Sequence, residues 1–363
     1  MNPMSSKLKS IRISGFKSIK SCDLKLKNIN ILIGANGVGK SNLISAFSFM
    51  ERILEKEMQL SVSESGITSL MYMGPKITRE IEMEFRFDNN SYGFVLMPTN
   101  DGRLMFKREY YGYGSFKKNI QAPMGYYESQ YEIGTGDGIE PWVKPVLDYR
   151  NWRVFHFHDT GRTSRIKMEH NVHDNERLRF DASNLAAFLL MLRESYPKNY
   201  NDILDAVKLV APYFKDFVLS TQQNDGENII LRWKQKGCDE VFSASQMSDG
   251  TLRFICLATL FLQPPGLQPS TIVLDEPELG LHPFAIILLG EMVEKVSKRK
   301  QVIISTQSVE LLNQFDPDDV IISESGPNGT VFKRLDAESL RMWLDEDYTL
   351  GDLWKKNVFG GRP

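Results

Sequence analysis

The stretch Gly34-Ala35-Asn36-Gly37-Val38-Gly39-Lys40-Ser41 fits G-x-x-x-x-G-K-[ST] in full, a pattern built to hold phosphates. Glycines at 34, 37 and 39 permit backbone angles at which successive N–H groups converge on phosphate oxygens, and a helix starting there adds its positive end. Lys40 is expected to reach the β- and γ-phosphates and the Ser41 hydroxyl to ligate Mg²⁺. Asn36 and Val38 line the same loop, and Asn42 follows it directly. A second stretch, Thr271-Ile272-Val273-Leu274-Asp275-Glu276-Pro277, is an apolar run ending in two carboxylates. If it is a buried strand, both acids project at its C-terminal edge, where open α/β sheets bind ligands. Asp275 is then expected to hold Mg²⁺ directly or through water, and Glu276 to orient and deprotonate an attacking water. A third stretch, Met247-Ser248-Asp249-Gly250-Thr251, has a Ser, Asp and Gly at a predicted helix start. It reads either as an ordinary capped terminus or as a hydroxyl and backbone N–H groups offered to an anion.

Elements must carry these residues to one place. Ile29–Ile33 is a β-branched run before the glycines, and Leu43, Phe47, Met50 and Leu54 recur after them at helical spacing, so strand, loop and helix surround the phosphate pattern as it requires. Lys7–Lys27 reads as two short strands. Ile81–Phe87 alternates with period two, and Gly93–Met97 and Leu104–Tyr110 follow Asn/Gly turns, which predicts an antiparallel meander. Residues 112–145, rich in Gly, Tyr and Pro, read as irregular. Val154–His158 is a predicted strand, with helices opening at Asp181-Ala182-Ser183 and over Ile203–Phe214. Asn224-Asp225-Gly226 predicts a hairpin joining Phe217–Thr221 to Asn228–Trp233. From Thr251 onward helix and strand alternate, with strands at 271–274, 302–305 and 320–323 and helices from Thr251, Pro283 and Val309. That order predicts an α/β fold with a parallel sheet.

Bulk composition sets wide limits. The 363 residues are 42% hydrophobic and 25% charged, and the net charge is 44 − 46 = −2, which disfavours a uniformly basic nucleic-acid binder. The three cysteines, Cys22, Cys238 and Cys256, are scattered; they outline no disulfide framework or zinc site and suit a reducing compartment. Without an apolar leader or a long apolar run, a cytoplasmic protein that does not engage membranes is expected.

With these residues in view, the chain resembles an SMC/RecF-type ABC ATPase head, and most closely the short bacterial AAA/ABC-like ATPases related to the overcoming-lysogenisation-defect group. The resemblance rests on Ile13-Ser14-Gly15-Phe16-Lys17-Ser18-Ile19, Asn36–Ser41, Met247–Gly250, Leu274-Asp275-Glu276-Pro277-Glu278, Gly280-Leu281-His282-Pro283, and Leu350–Trp354 through Gly360–Pro363. It implies a single P-loop NTPase head over residues 5–363: a P-loop and mixed, antiparallel β lobe at about 5–180, and a helical signature and Walker B lobe with parallel strands at about 181–363. Too few residues follow Glu276 for a TOPRIM nuclease domain, and no long coiled coil is expected. The resemblance also implies a head-to-tail dimer, with ATP at Lys40 and Ser41 of one subunit capped by Ser248, Asp249 and Gly250 of the other. Lys17 and Ser18 match a motif that contacts nucleotide phosphates, and Gly280–Pro283 matches the D-loop, which makes His282 an interface residue.

Two departures stand out. Gln307 occupies the place of a switch histidine; it can donate a hydrogen bond to a γ-phosphate but carries no charge. No glutamine of the Q-loop type is evident, and Phe155-His156-Phe157-His158-Asp159-Thr160 falls near that place. Alternation sets His156 and His158 on one strand face, as a nucleotide-proximal pair, as packing, or as a metal pair. The leading expectation is an ATP-hydrolysing, Mg²⁺-dependent regulator of a separate effector such as a nuclease, in anti-phage defence or DNA maintenance. The alternative is a RecF-like DNA-binding repair clamp using Arg162, Arg165 and Lys167, or Lys295, Lys298, Arg299 and Lys300; the second group also reads as cations at a helix C-terminus. A transporter subunit, or a switch that never turns over, fits these motifs less well.

Overall fold

The computed structural model describes residues 7–114, 116–120, 125–131, 152–221, 226–345 and 348–361. A hairpin of β1 (Ser10–Phe16) and β2 (Ile19–Lys25) leads into β3 (Ile29–Ile33), buried throughout. The glycine loop then opens α1 (Lys40–Leu54), followed by α2 (Met58–Ser65) and α3 (Ile67–Leu70). The predicted meander is β4 (Ile81–Arg86), β5 (Asn90–Pro98), β6 (Leu104–Tyr113) and β7 (Phe116–Asn119), each antiparallel to the next. After β8 (Trp152–Phe155) and the two-residue β9 (His170–Asn171) come α4 (Leu185–Ser195) and α5 (Pro197–Val210). Short strands β10 (Phe214–Val218), β11 (Asn228–Ile229), β12 (Arg232–Gln235) and β13 (Val241–Ser243) precede α6 (Asp249–Leu262). The remainder alternates: β14 (Thr271–Asp275), α7 (Pro283–Ser297), β15 (Gln301–Ser305), the single turn α8 (Val309–Leu312), β16 (Val320–Gly326), β17 (Gly329–Arg334), α9 (Ala337–Asp345) and α10 (Leu350–Lys355).

One sheet of twelve strands runs in the order β7-β6-β5-β4-β1-β2-β17-β16-β3-β15-β14-β8. The stretch β16-β3-β15-β14-β8 is parallel; the rest is antiparallel. The parallel strands are buried on both faces, so they read in sequence as unbroken apolar runs rather than alternations. Successive residues still point to opposite sides. Ile31, Ile272, Leu274, Val302 and Ile304 join one core, which also holds the apolar faces of α4, α5, α6 and α7. Leu32, Val273 and Ile303 join the other, with Leu43, Phe47 and Met50 of α1 and the meander strands. Strand β3, early in the chain, thus sits between the late strands β15 and β16.

Several local expectations are corrected. Strand β8 ends at Phe155, so His156 and His158 lie beyond it and strand alternation does not govern them. Phe214 begins a strand instead of closing α5, because Ala211 at the helix end leaves helical geometry. The expected hairpin, by contrast, is present: Phe217 pairs with Trp233, Val218 with Arg232 and Thr221 with Ile229, and Asn228 and Ile229 pair in addition with β9. The predicted turn residues Asn224 and Asp225 lie outside the described residues, as do Met1–Ser6, Arg362, Pro363 and, within the stretch 112–145, residues 115, 121–124 and 132–145. Among the described residues no helix is long and apolar enough to cross a membrane.

Candidate functional site

At the end of β3, Gly34, Gly37 and Gly39 take φ values of 151°, 77° and 106°, and Gly39 caps α1. The loop wraps its own lysine: Lys40, 5% exposed, donates from Nζ to the carbonyls of Gly34 (2.5 Å) and Ala35 (2.9 Å). Burial pushes the Lys40 ammonium below its ordinary pKa, while Glu276, Asp275 and Glu278 pull the other way by favouring the charge. Asn36, Gly37 and Ser41 are exposed at the rim.

The loop is braced from behind. The Ser18 and Thr330 hydroxyls are hydrogen-bonded at 2.6 Å, Asn42 Nδ2 donates to Ser18 Oγ at 2.6 Å, and the Thr330 hydroxyl lies 2.7 Å from the Val38 carbonyl. Ser18 and Asn42 are therefore engaged with the scaffold of the loop. Lys17 adopts φ 46°, its N–H bonds Leu70 O at 2.8 Å, and its ammonium lies over the Phe16 ring. A Cβ on Gly39 would collide with the Thr330 hydroxyl and lie 2.6 Å from Ser18 Oγ. Gly39→Ala is accordingly expected to add about 1–3 kcal/mol of backbone strain and to weaken ATP binding at least ~10-fold, as measured by fluorescent-nucleotide titration.

The carboxylate edge faces this loop because β15 lies between β3 and β14 and all three run parallel. Thr306 N–H bonds Leu32 O at 2.9 Å and Glu276 N–H bonds Ser305 O at 2.7 Å, tying the three strand ends together. Asp275 Oδ1 is buried without a hydrogen-bond partner, and so is Oγ of Ser305, its cross-strand neighbour. A buried carboxylate oxygen left alone costs about 1–3 kcal/mol or more, so the pair suits a bound cation or its water. The acceptor set of Asp275 and the Ser41 hydroxyl is the chemistry Mg²⁺ takes.

Glu276 holds φ 44°, a left-handed conformation costly for a side chain with a Cβ and concentrated at functional sites. Its Oε1 accepts a hydrogen bond from Gln307 Nε2. The residue in the switch position thus grips the carboxylate expected to act as base. Gln307→Ala is expected to lower ATP turnover ~10-fold or more with little change in ATP affinity. Unchanged turnover in a phosphate-release assay removes Gln307 from the site.

The third stretch starts α6. Ser248 Oγ accepts from Thr251 N–H (3.2 Å), so the capped helix start is present, with Ser248 and Asp249 exposed. Asp249 lies 3.4 Å from Lys167 Nζ. Gly250 packs so closely on the Gly280 carbonyl that any Cβ would clash. Arg253, one turn on, donates to the carbonyls of Phe157 (3.2 Å), His158 (2.8 Å) and Leu279. One guanidinium therefore joins α6, the segment after β8 and the segment between β14 and α7. His156 N–H bonds Phe180 O at 2.9 Å; burial lowers its pKa, opposed by nearby Asp275. Asp159 shapes a turn, accepting from Gly161 N–H and Ser164 Oγ. Among the described residues no group of three or more His, Cys, Asp or Glu side chains is arranged to hold a metal ion.

Sequence reasoning missed Thr330, Thr306, Glu278 and Arg253 as parts of this site. Their roles come from contacts across 26 to 312 positions of chain.

Comparison with known proteins follows the same lines. The chain is 25% identical to the Old nuclease of Escherichia phage P2, over 93% of its own length and 62% of the relative's, so it spans less than two thirds of that protein. In fold it is similar to an Smc head bound to the C-terminal winged-helix domain of ScpA (TM-score 0.62, 15% identity, 93% of this chain and 99% of that one). It is likewise similar to the Smc head with an extended coiled coil, bound to the C-terminal domain of ScpA, from Pyrococcus furiosus (TM-score 0.60, 14% identity, 94% and 99%). These likenesses show the P-loop NTPase fold of an SMC head. The profile of one family covers residues 29–313, from β3 through α8, and the chain belongs to that family, described as AAA domain, putative AbiEii toxin, Type IV TA system.

Proposed function

We propose that this chain binds ATP with Mg²⁺, hydrolyses it in a head-to-tail dimer, and through the ATP-bound dimer regulates a separate effector. The observation that carries the reading is the meeting of Lys40, Asp275, Glu276 and Gln307 at one edge of three adjacent parallel strands. Asp275 and Ser41 would hold Mg²⁺, which neutralises phosphate charge when bound. Glu276 orients and deprotonates the attacking water, Gln307 fixes Glu276, and Lys40 leaves the Gly34 and Ala35 carbonyls for the phosphates. Gly34, Asn36, Gly37, Val38, Gly39 and Asn42 shape the cradle, and Lys17 and Ser18 would contact the nucleotide phosphates beside it.

Ser248, Asp249 and Gly250 would close the site of a second copy. Exposed Leu279, Phe284 and Ile287 beside the D-loop support such a contact, since clustered apolar side chains at a protein surface mark interfaces. The lobe limits of 5–180 and 181–363 belong to this proposal. A nuclease is the effector class we favour, because the curated relative is named as one; a role in defence or DNA maintenance follows from that choice, and a cytoplasmic site of action accords with it. The RecF-like DNA clamp has less support: Arg165 pairs with Asp181 and Lys167 is turned inward to Thr160 O and Asp249. Light scattering of the Glu276→Gln protein with and without ATP tests the dimer; a monomer at saturating ATP contradicts it.

A further inference from the structure

Glu278 lies two residues beyond Glu276, across Pro277, and is 8% exposed. Its Oε1 accepts from the Thr306 hydroxyl (2.5 Å) and from the Gln307 backbone N–H (3.1 Å). Thr306 Oγ1 in turn accepts the Ser308 N–H at 2.9 Å. Three consecutive residues of the loop leaving β15 therefore depend on one carboxylate. Its second oxygen, Oε2, is buried with no partner, a cost that a merely structural acceptor would not need to carry. Burial pushes this carboxyl's pKa up, and the Thr306 and Gln307 donors act against that rise.

The two acids grip Gln307 at different points. Glu276 receives its side-chain amide and Glu278 its backbone N–H. Proline between them restricts the backbone of the turn, so the separation of the two grips is set by the chain itself. We propose that Glu278 is a positioning residue for hydrolysis: it anchors the backbone at Thr306 and Gln307 so that the Gln307 carboxamide reaches Glu276. Without it, the buried Thr306 hydroxyl and the partly buried Gln307 N–H lose their acceptor, the loop relaxes, and the carboxamide no longer restrains a glutamate that already sits on left-handed backbone. This inference rests on the reading of Glu276 as the base.

The test is a double-mutant cycle on the full chain, with ATP turnover and nucleotide affinity read separately. Glu278→Ala is expected to lower kcat ~10-fold or more, with KM for ATP within about threefold. Glu278→Gln keeps a carbonyl oxygen for both donors and is expected to restore kcat to within about fivefold of the parent. The double variant Glu278→Ala/Gln307→Ala is expected to be no slower than Gln307→Ala alone, within about threefold. Multiplicative losses, or a parental kcat in Glu278→Ala, overturn the proposal. Should Glu278→Ala fail to fold, Thr306→Val replaces it in the same cycle, since it removes one of the two hydrogen bonds; the same non-additivity is expected and multiplicative losses overturn the proposal equally. Glu276→Gln is measured alongside. Turnover surviving there overturns the base assignment itself, whereas turnover lost there together with multiplicative Glu278 and Gln307 effects overturns only the positioning role.

Discussion

Replacing Glu276 by Gln is expected to lower ATP turnover by ~10²–10³-fold while ATP affinity stays within a few-fold of the parent. The amide keeps the size and the contact to Gln307 but cannot take a proton from water. Folding should be little affected: the backbone strain at φ 44° is unchanged, and the Glu276 N–H still meets the Ser305 carbonyl. Because binding survives while hydrolysis stops, the ATP-bound dimer should accumulate, which makes this variant the reagent of choice for isolating the effector. Phosphate release at saturating ATP reads the first effect and sedimentation velocity the second. Turnover within tenfold of the parent would transfer the base role to another group.

Ser248→Arg is the second large effect. Ser248 is exposed and its hydroxyl serves its own helix, so losing the cap costs about 1 kcal/mol, and the fold should tolerate it. The new side chain would occupy the space that a partner's nucleotide must enter. ATP-dependent dimerisation is therefore expected to disappear and turnover to fall ~100-fold or more, with ATP still binding at the intact Lys40 loop. Ser248→Ala, which removes the same cap without the bulk, separates the two causes: it should show the small stability loss and retain most dimerisation.

Local patterns were the readable part of this molecule. Ile29–Ile33, the glycines and the apolar spacing of α1 are contiguous, so periodicity and turn chemistry placed them. The strand ending in Asp275 and Glu276 was equally clear, because strands buried on both faces leave an unbroken apolar run. Residues whose position depends on distant chain were not readable. Nothing near Thr330 signals that its hydroxyl braces Ser18 and the loop at Val38. Nothing near Arg253 signals that its guanidinium donates to three backbone carbonyls. The Phe217 hairpin was readable too, since Phe217, Val218 and Thr221 pair with Trp233, Arg232 and Ile229, whereas the further pairing of Asn228 and Ile229 with distant β9 was not. The strand expected to run to His158 stops at Phe155.

Mixing two inactive proteins tests the composite site most directly. Lys40→Ala should lack its phosphate lysine but keep a sound signature, and Ser248→Arg should lack the signature but keep its lysine. In a head-to-tail pair, one of the two sites combines the sound halves of both chains. Equal mixing should therefore recover part of the parental turnover through mixed dimers, each having one complete site. Recovery on mixing is the predicted result; a mixture no more active than its separate components would contradict a site shared between two chains.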